Sequence, residues 1–289
     1  MGRAGHQHQS YCQQLLLGCD DPIFEGPLFR AKDGGPTKKM RDLESPNSED
    51  AVTWSVFRLL EHHFADHTWL PELLALAGCE SAVSGIPRVT FWEKGYPPRS
   101  RLLWLLNHVD DPRVTKSPGA RKDPDRLELV RQNLEEYRRR VGDGLIRGRN
   151  KWVLEGPTEF DAIIRSEGPL VAVEAKLYCD VATYVRWDTG RDQIARVVDA
   201  GLEMAGDGEF AFLLITDRRR HTPPKEYERL LKEYRASGLY SLAPDGLGWL
   251  TWGEIYDWLE GRRARCSIEQ KDWIERLRTF IAQRALLEV

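Results

Sequence analysis

The sequence has few cysteines, and they form no recognisable pairs. Five occur in 289 residues, and none belongs to a Cys-x-x-Cys motif; they are Cys12, Cys19, Cys79, Cys179 and Cys266. A disulfide framework and a zinc ribbon both depend on paired cysteines, so neither is predicted. This cysteine usage is typical of a reducing compartment, and we expect a cytoplasmic protein.

Long hydrophobic runs are also missing. Near the beginning of the chain the apolar run is only Leu15-Leu16-Leu17, which is too short for the apolar region of a signal peptide. No stretch approaches the roughly 20 residues of a membrane span. We therefore expect no membrane association.

A strong excess of charge of one sign is absent as well. The chain has 42 Lys and Arg against 45 Asp and Glu, a formal net charge of −3. This balance excludes a protein whose whole surface coats nucleic acid. Local basic groups could still contact phosphates, among them residues 138–140, 218–220 and 262–265, although such runs are more often solvated surface.

The sequence does contain enough apolar material for a full core, with 41% hydrophobic residues and 10 Trp. We predict an α/β protein in which residues 46–289 form one domain with a central mixed β-sheet between helices. A helical insertion is expected before the sheet, at about 66–145, and residues 152–154 are expected to form a strand. Residues 1–45 contain strong breakers and predict a loosely ordered N-terminal arm.

The clearest chemical signal lies in residues 158–176. Residues 170–173 are apolar at every position, which is typical of a strand covered on both faces, and such a strand should hold no charge. Glu174 and Lys176 nevertheless follow directly. Because side chains of a strand alternate between its faces, these two opposite charges should point to the same side.

A second predicted strand, residues 160–164, carries one carboxylate, Asp161. Residues 165–169 are short and turn-rich enough for a hairpin, which would bring Asp161 beside Glu174. Buried carboxylates are costly unless paired or bound to a cation, so the pair predicts a divalent metal with oxygen ligands, Mg²⁺ by default and Mn²⁺ as a substitute. Lys176 would then lie where it could orient or deprotonate a water, or stabilise the charge on a phosphate under attack.

These residues resemble the signature of the PD-(D/E)XK, or restriction-endonuclease-like, nucleases. That signature is an Asp at one strand end followed by Glu-x-Lys on the next strand, and Asp161 and Glu174-Ala175-Lys176 match it. The match departs at the proline, because Phe160 precedes Asp161. The resemblance covers Glu49 and about residues 152–216. It implies a restriction-endonuclease-like core and a Mg²⁺-dependent endonuclease, with DNA as the expected substrate.

Related nucleases carry a further acidic residue on the helix before the sheet, and Glu49 is the predicted match. Ser48 is a predicted N-cap, and Glu49 projects towards the apolar stripe of the helix that follows, whereas Asp50 does not. The competing helix, at about 124–141, holds its glutamates away from its own stripe; they are Glu128, Glu135 and Glu136. As an alternative, Glu49 is only a first-turn acid favoured by the helix dipole.

The resemblance also extends to the helix predicted from residue 191 to about residue 205. Related nucleases often place Gln or Arg at its start, close to the metal. Gln193 is therefore the predicted match for a group that positions the phosphate or the water, and Arg191 and Arg196 are weaker candidates for nucleic-acid contacts. Alternatively, all three are simply exposed polar residues.

Two other functions remain open on the sequence. A non-catalytic nucleic-acid-binding or scaffold protein could keep the same fold, with Glu174 and Lys176 as a buried ion pair. An RNA endonuclease would share all of the chemistry and differ in the shape of its groove. The amphipathic C-terminal helix, which contains Trp273 and Ile274, could pack on the sheet or on a second copy, so a homodimer is also considered.

Overall fold

The structure is a computed structural model of the chain. It describes residues 14–17, 20–30, 37–45, 48–64, 68–79, 82–144, 153–177, 181–217, 225, 227–229, 232 and 246–284. Within these ranges, no helix combines the length and the apolar character that crossing a bilayer requires.

A mixed β-sheet forms the centre of the fold. The strands in the described part of the chain are, in order, β1 (Ser84–Phe91), β2 (Lys94–Gly95), β3 (Thr158–Glu159), β4 (Ala162–Glu167), β5 (Leu170–Ala175), β6 (Phe210–Thr216) and β7 (Leu247–Thr251). Five of them form one sheet in the order β1-β4-β5-β6-β7, and β2 pairs with β3 separately. Strand β4 is antiparallel to both of its neighbours, β1 and β5, whereas β5, β6 and β7 are parallel to one another. The prediction of an α/β protein with a mixed sheet is confirmed.

Helices cover both faces of this sheet. Those in the described ranges are α1 (Lys38–Glu44), α2 (Glu49–His63), α3 (Trp69–Leu76), α4 (Arg99–Asn107), α5 (Pro112–Thr115), α6 (Pro118–Lys122), α7 (Pro124–Gln132), α8 (Leu134–Gly142), α9 (Gln193–Ala205), α10 (Trp252–Arg262) and α11 (Ile268–Ala282). On one face α2, α3, α10 and α11 share a core with the sheet, and on the other face α9 does. Helices α4 to α8 pack around a third, separate core.

Strand β5 is apolar on both faces because each face packs into a different core. Val171 and Val173 pack into the core that contains α2, while Ala172 packs into the core beneath α9. Glu174 has the parity of Ala172 and therefore belongs to the α9 side of the sheet. The segment from β5 through α9 to β6 is a crossover between parallel strands, so the beginning of α9 returns to the end of β5.

Strand β1 corrects the predicted helical insertion. It lies within residues 66–145 and pairs with β4, so the helices α4 to α8 interrupt the sheet between β1 and β4 instead of preceding it. Gly85 and Pro87 weaken the strand signal of this segment. The strand tolerates them because it lies at the sheet edge, where its register with β4 shifts between Ser84 and Arg88. The strand predicted at 152–154 is absent from Val153 and Leu154, and Trp152 lies outside the described residues.

The described part of residues 1–45 is not the loosely ordered arm that its composition predicted. Two short 3₁₀ turns, Pro22–Glu25 and Pro27–Phe29, precede α1. Phe24, Phe29 and Leu43 are buried in the same core as α2. Buried aromatic and aliphatic side chains therefore hold this segment against the core, although its sequence contains residues that interrupt helices and strands. The strongest of these interruptions, residues 33–36, lies outside the described residues.

The C-terminal helix α11 is satisfied within its own chain. Ile274, Leu277 and Ile281 are buried in the core that contains α2 and α10. Its apolar face is thus used for packing inside the domain, and the homodimer stays a prediction.

Gly201 tests the close approach between α9 and the sheet. A Cβ atom at Gly201 would lie 2.3 Å from Cε2 of the buried Phe210 ring on β6. We expect Gly201→Ala to lower the free energy of unfolding by about 1–3 kcal/mol, because a packed ring must move. Chemical denaturation measures this difference.

Gly261 near the end of α10 is the matched control. A Cβ atom there meets nothing within 4 Å. Gly261→Ala should therefore be stabilising, by about 0.4–1 kcal/mol, through the lower entropy of the unfolded chain. Equal stability changes at the two helical glycines would contradict the close packing of α9 on β6.

Candidate metal centre

The end of β5 carries an acid and a base that meet on one face. Glu174 is 2% exposed and Lys176 is 6% exposed. Their separation by two positions puts both side chains on the same side, and Lys176 Nζ lies 2.6 Å from Glu174 Oε1. Lys176 Nζ also donates to the backbone carbonyl of Ala175, at 2.7 Å. The predicted pair is therefore a buried, hydrogen-bonded ion pair.

Asp161 reaches the same place from the neighbouring strand. It directly precedes β4, whose pairing with β5 aligns Ala162 with Val173. The side chain of Asp161 is held by the backbone of β5, since Oδ2 accepts a hydrogen bond of 2.7 Å from the Ala175 N–H. The hairpin between residues 160 and 174 thus places the two carboxylates as the sequence predicted.

Glu49 comes from the opposite layer of the fold. It is the first residue of α2, which begins there because Ser48 Oγ accepts a hydrogen bond of 3.1 Å from the Ala51 N–H. Glu49 Oε1 lies 3.1 Å from Lys176 Nζ, and Oε2 accepts from the Leu177 N–H at 3.0 Å. A residue 127 positions away in sequence from Lys176 therefore completes the cluster.

The three carboxylates have the chemistry of a site for a hard divalent cation. One oxygen each from Glu49, Asp161 and Glu174 lies within 4.8 Å of the other two. Two oxygen ligands on opposite sides of a Mg²⁺ are about 4.2 Å apart, so the spacing is close to what one ion requires. The group contains only oxygen donors, without His or Cys, which favours Mg²⁺ or Mn²⁺ over zinc.

The acids of this cluster resist ionisation. Burial raises the pKa of Glu49 to about 7, and the nearby charge of Asp161 adds to the effect although Lys176 opposes it. Burial, and then the charge of Glu174, raise the pKa of Asp161 well above its usual range. Burial also raises the pKa of Glu174, against the opposing charge of Lys176. Desolvation is the main cause of these raised pKa values, and the charges of the neighbouring carboxylates add to it.

Lys176 is held in its charged form. Burial alone lowers the pKa of a lysine, but the charges of Glu174, Glu49 and Asp161 outweigh it and raise the pKa of Lys176 above its ordinary value. At neutral pH this side chain is an ammonium group with protons to donate.

Gln193 lies in the cluster, at the start of α9. Asp192 caps the helix, with Oδ1 accepting a hydrogen bond of 2.8 Å from the Ala195 N–H. The crossover from β5 brings this helix end back to the sheet, and Gln193 Nε2 donates to Glu174 Oε1. The same oxygen therefore receives Lys176 and Gln193, which fixes the orientation of the Glu174 carboxylate.

The two predicted arginines are used differently. Arg191 is buried, donates to Asp199 and to the carbonyl of Ala195, and lies 3.8 Å from Glu155. Arg196 donates to the carbonyl of Pro157 at 2.8 Å. Burial raises the pKa of Glu174, and Arg196 is near enough that its charge partly opposes this rise. Arg191 thus belongs to a buried ion network, and only Arg196 lies beside the cluster.

The competing glutamates lie elsewhere, on exposed helix surface. Glu135 pairs with Arg138, and Glu136 pairs with Arg139 and Arg140. Glu128 lies 3.6 Å from Arg131, one turn further along α7. Of Glu49, Glu128, Glu135 and Glu136, only Glu49 joins Asp161 and Glu174.

A second charged group next to the cluster was not predicted. Lys39 Nζ lies 3.0 Å from Asp50 Oδ2 and 2.7 Å from Glu159 Oε1. Trp92 Nε1 donates to Asp50 Oδ1 at 2.6 Å, and Lys39 lies over the Trp92 ring. In the sequence, the only sign of this group was Asp50, the acid beside Glu49 that does not face the apolar stripe. Its partners come from three distant segments, so no local pattern connects them.

The raised pKa of Glu49 predicts a pH-dependent effect on metal-free stability. Glu49 has a pKa of about 7 in the folded state and about 4.5 in the unfolded state, so at pH 4 it is mostly protonated in both states. At higher pH the unfolded state loses this proton more readily, and ionisation of Glu49 therefore opposes folding. In EDTA at pH 8, Glu49→Gln should raise the free energy of unfolding by about 1–3 kcal/mol. At pH 4 the difference should vanish, and denaturation at both pH values measures it.

Glu135→Gln is the control for this experiment, because the Glu135 side chain is 87% exposed. It should show the same small change at both pH values. If Glu49→Gln were less stable than wild type at pH 8, the electrostatic description of the cluster would be wrong.

Comparison with known proteins adds nothing to this geometry. No protein-family model matches the chain, and no match was found among curated proteins or among solved structures. The function is therefore inferred from the site itself.

Proposed function

We propose that the protein is a metal-dependent nuclease that hydrolyses phosphodiester bonds in DNA. One observation carries the proposal: Glu49, Asp161 and Glu174 converge at the end of β5 around the ammonium of Lys176. The order of α2, β1, β4, β5, α9 and β6 is also compatible with the restriction-endonuclease-like core that the sequence resembles. The choice of DNA rests on that resemblance.

Glu49, Asp161 and Glu174 would hold the metal ion. When bound, Mg²⁺ would supply Lewis-acid stabilisation of the charge that develops on the phosphate. Two of the carboxylates are oriented by backbone N–H groups, those of Ala175 and Leu177. Fixed ligands of this kind require little reorganisation during the reaction.

Lys176 would act as a hydrogen-bond donor. Because its surroundings hold it as an ammonium group, it is unsuited to remove a proton from water. Its protons can instead orient the attacking water and offset negative charge on the phosphate. Gln193 acts through Glu174, whose carboxylate it holds in place.

A charge count separates this proposal from a purely structural ion pair. Lys176 neutralises one carboxylate, and two negative charges of the cluster remain when all three acids are ionised. A single structural pair between Glu174 and Lys176 would need neither Asp161 nor Glu49, and each additional buried acid destabilises the fold. A divalent cation balances this excess.

The non-catalytic reading is favoured by one observation, the 2.6 Å contact between Lys176 and Glu174. In that case the cluster is a structural element of a nucleic-acid-binding or scaffold protein. Metal-dependent cleavage by the wild type, lost in the ligand variants, distinguishes the two readings. An RNA endonuclease is distinguished by the substrate that is cut.

The decisive experiment incubates the purified protein with duplex and single-stranded DNA and RNA, in Mg²⁺, Mn²⁺ or EDTA. We expect cleavage of DNA in Mg²⁺ and Mn²⁺ and none in EDTA. Asp161→Asn and Glu174→Gln should abolish cleavage, and Glu49→Gln should lower turnover at least about tenfold, since each removes a charged ligand. Gel electrophoresis of labelled substrates measures the products.

Glu135→Gln and Glu136→Gln are the controls, because both glutamates are tied up in surface ion pairs on α8. They should cleave like wild type. Cleavage that survives in both Asp161→Asn and Glu174→Gln would show that the nuclease site is not here.

Lys176→Met tests the donor role separately from metal binding. The variant keeps the length of the side chain but loses its charge, so turnover should fall at least about 100-fold, as when one charge-stabilising donor is removed. Metal affinity measured by calorimetry should stay equal or rise, because a competing cation is gone. Lys122→Met, on the exposed surface of α6, is the control. A loss of metal affinity in Lys176→Met would contradict the assigned role.

A further inference from the structure

A cavity opens directly beside two of the carboxylates. It has a volume of about 430 Å³, and its lining includes Glu49, Asp161, Lys38 and Arg41. One wall belongs to the proposed metal centre, and another belongs to α1, in the segment that composition alone described as a loose arm.

Helix α1 is fixed in place over this cavity. Lys39 is buried and joins Asp50 of α2 to Glu159 of β3. Met40 and Leu43 are buried in the central core, so α1 is anchored both by charge and by apolar packing. Its remaining face carries Lys38 and Arg41, which are exposed and three positions apart, and residues at this spacing lie on the same side of a helix.

The lining of the cavity contains both acids and cations, and Lys38 and Arg41 are two of the cations. Besides Glu49 and Asp161, the lining contains the acids Asp42, Asp50 and Glu159, which together would repel a phosphate. The lining also contains three cations: Lys39, which joins Asp50 to Glu159, and Lys38 and Arg41, which are exposed. Lys38 is 87% exposed and lies 3.7 Å from Asp42, a contact of little energetic weight.

We propose that Lys38 and Arg41 form a phosphate-binding subsite for the DNA strand, adjacent to the phosphate that is cut. This inference rests on the proposed nuclease function and adds the route by which a polyanion approaches an acidic centre. The two cations hold a neighbouring phosphate of the strand while the metal centre takes the scissile one. Lys39 is a positioning residue, because it holds α1 without facing the substrate.

Binding without turnover tests the subsite. The probe is a fluorescein-labelled 20-base-pair duplex DNA, titrated in Ca²⁺ and followed by fluorescence anisotropy, with its integrity checked on a denaturing gel. The double variant Lys38→Gln/Arg41→Gln should bind at least about tenfold more weakly than wild type. Because two phosphate contacts are lost, the slope of log affinity against log salt should fall by about 2 in magnitude.

The double variant Lys271→Gln/Arg278→Gln is the matched control. It removes the same two residue types from α11, where Arg278 lies 3.6 Å from Glu275 in a comparable surface pair. Its affinity should stay within about twofold of wild type. Melting curves of both variants check folding, and the single variants Lys38→Ala and Arg41→Ala repeat the measurement if the double variant is destabilised.

The outcomes of the subsite and of the nuclease proposal are separable. Unchanged affinity and unchanged salt slope in Lys38→Gln/Arg41→Gln would overturn the subsite even if wild type cuts DNA. Absence of any duplex binding by wild type would overturn it as well. Weakened binding in the variant, combined with a wild type that cuts nothing, would support the subsite and overturn the nuclease. With cleavage present, the variant should raise KM and leave kcat within about twofold.

Discussion

The burial of three neighbouring carboxylates, those of Glu49, Asp161 and Glu174, is the constraint on which the arrangement around β5 depends. Burial raises the pKa of each, so without a cation the cluster opposes folding. The surrounding structure compensates in part, through the ammonium of Lys176 and the backbone N–H groups of Ala175 and Leu177. What is left uncompensated is charge of the sign and size that a divalent cation would balance.

The layers of the fold deliver these groups independently. The hairpin of β4 and β5 supplies Asp161, Glu174 and Lys176 on the sheet, α2 supplies Glu49 from one side, and α9 supplies Gln193 from the other. Strand β5 is also the strand at which the sheet changes from antiparallel pairing, with β4, to parallel pairing, with β6. A crossover helix must start near there, and this is why Gln193 can reach Glu174.

Local periodicity predicted the part of the candidate site that lies on the sheet, and the family resemblance pointed to Glu49 and Gln193. Alternation along residues 170–176 put Glu174 and Lys176 together, the short turn brought Asp161 beside them, and the helical angle of Glu49 separated it from Asp50. These inferences succeeded because each depends on the period of one element and on a turn of a few residues.

The features that were missed depend on contacts between distant segments. Lys39, Asp50, Glu159 and Trp92 come from α1, α2, β3 and the connection after β1, and no single window of sequence contains the group. Strand β1 was hidden because an edge strand tolerates Pro87, which a central strand would not. Arg191 was predicted to contact nucleic acid because of its position at the start of the helix. That position does not reveal its buried partner, Asp199.

Trp92 points to a consequence for how this region is held together. It is the one non-glycine residue in the described ranges with a positive φ, +56°, a conformation that bulky side chains avoid. Its indole is buried, donates to Asp50 and lies under the ammonium of Lys39. A backbone strain of about 1–3 kcal/mol persists only where the surroundings over-determine it. Lys39, Asp50 and Trp92 therefore join α1, α2 and the connection after β1 beside the cavity, so a substitution at any one of the three removes a partner of the other two.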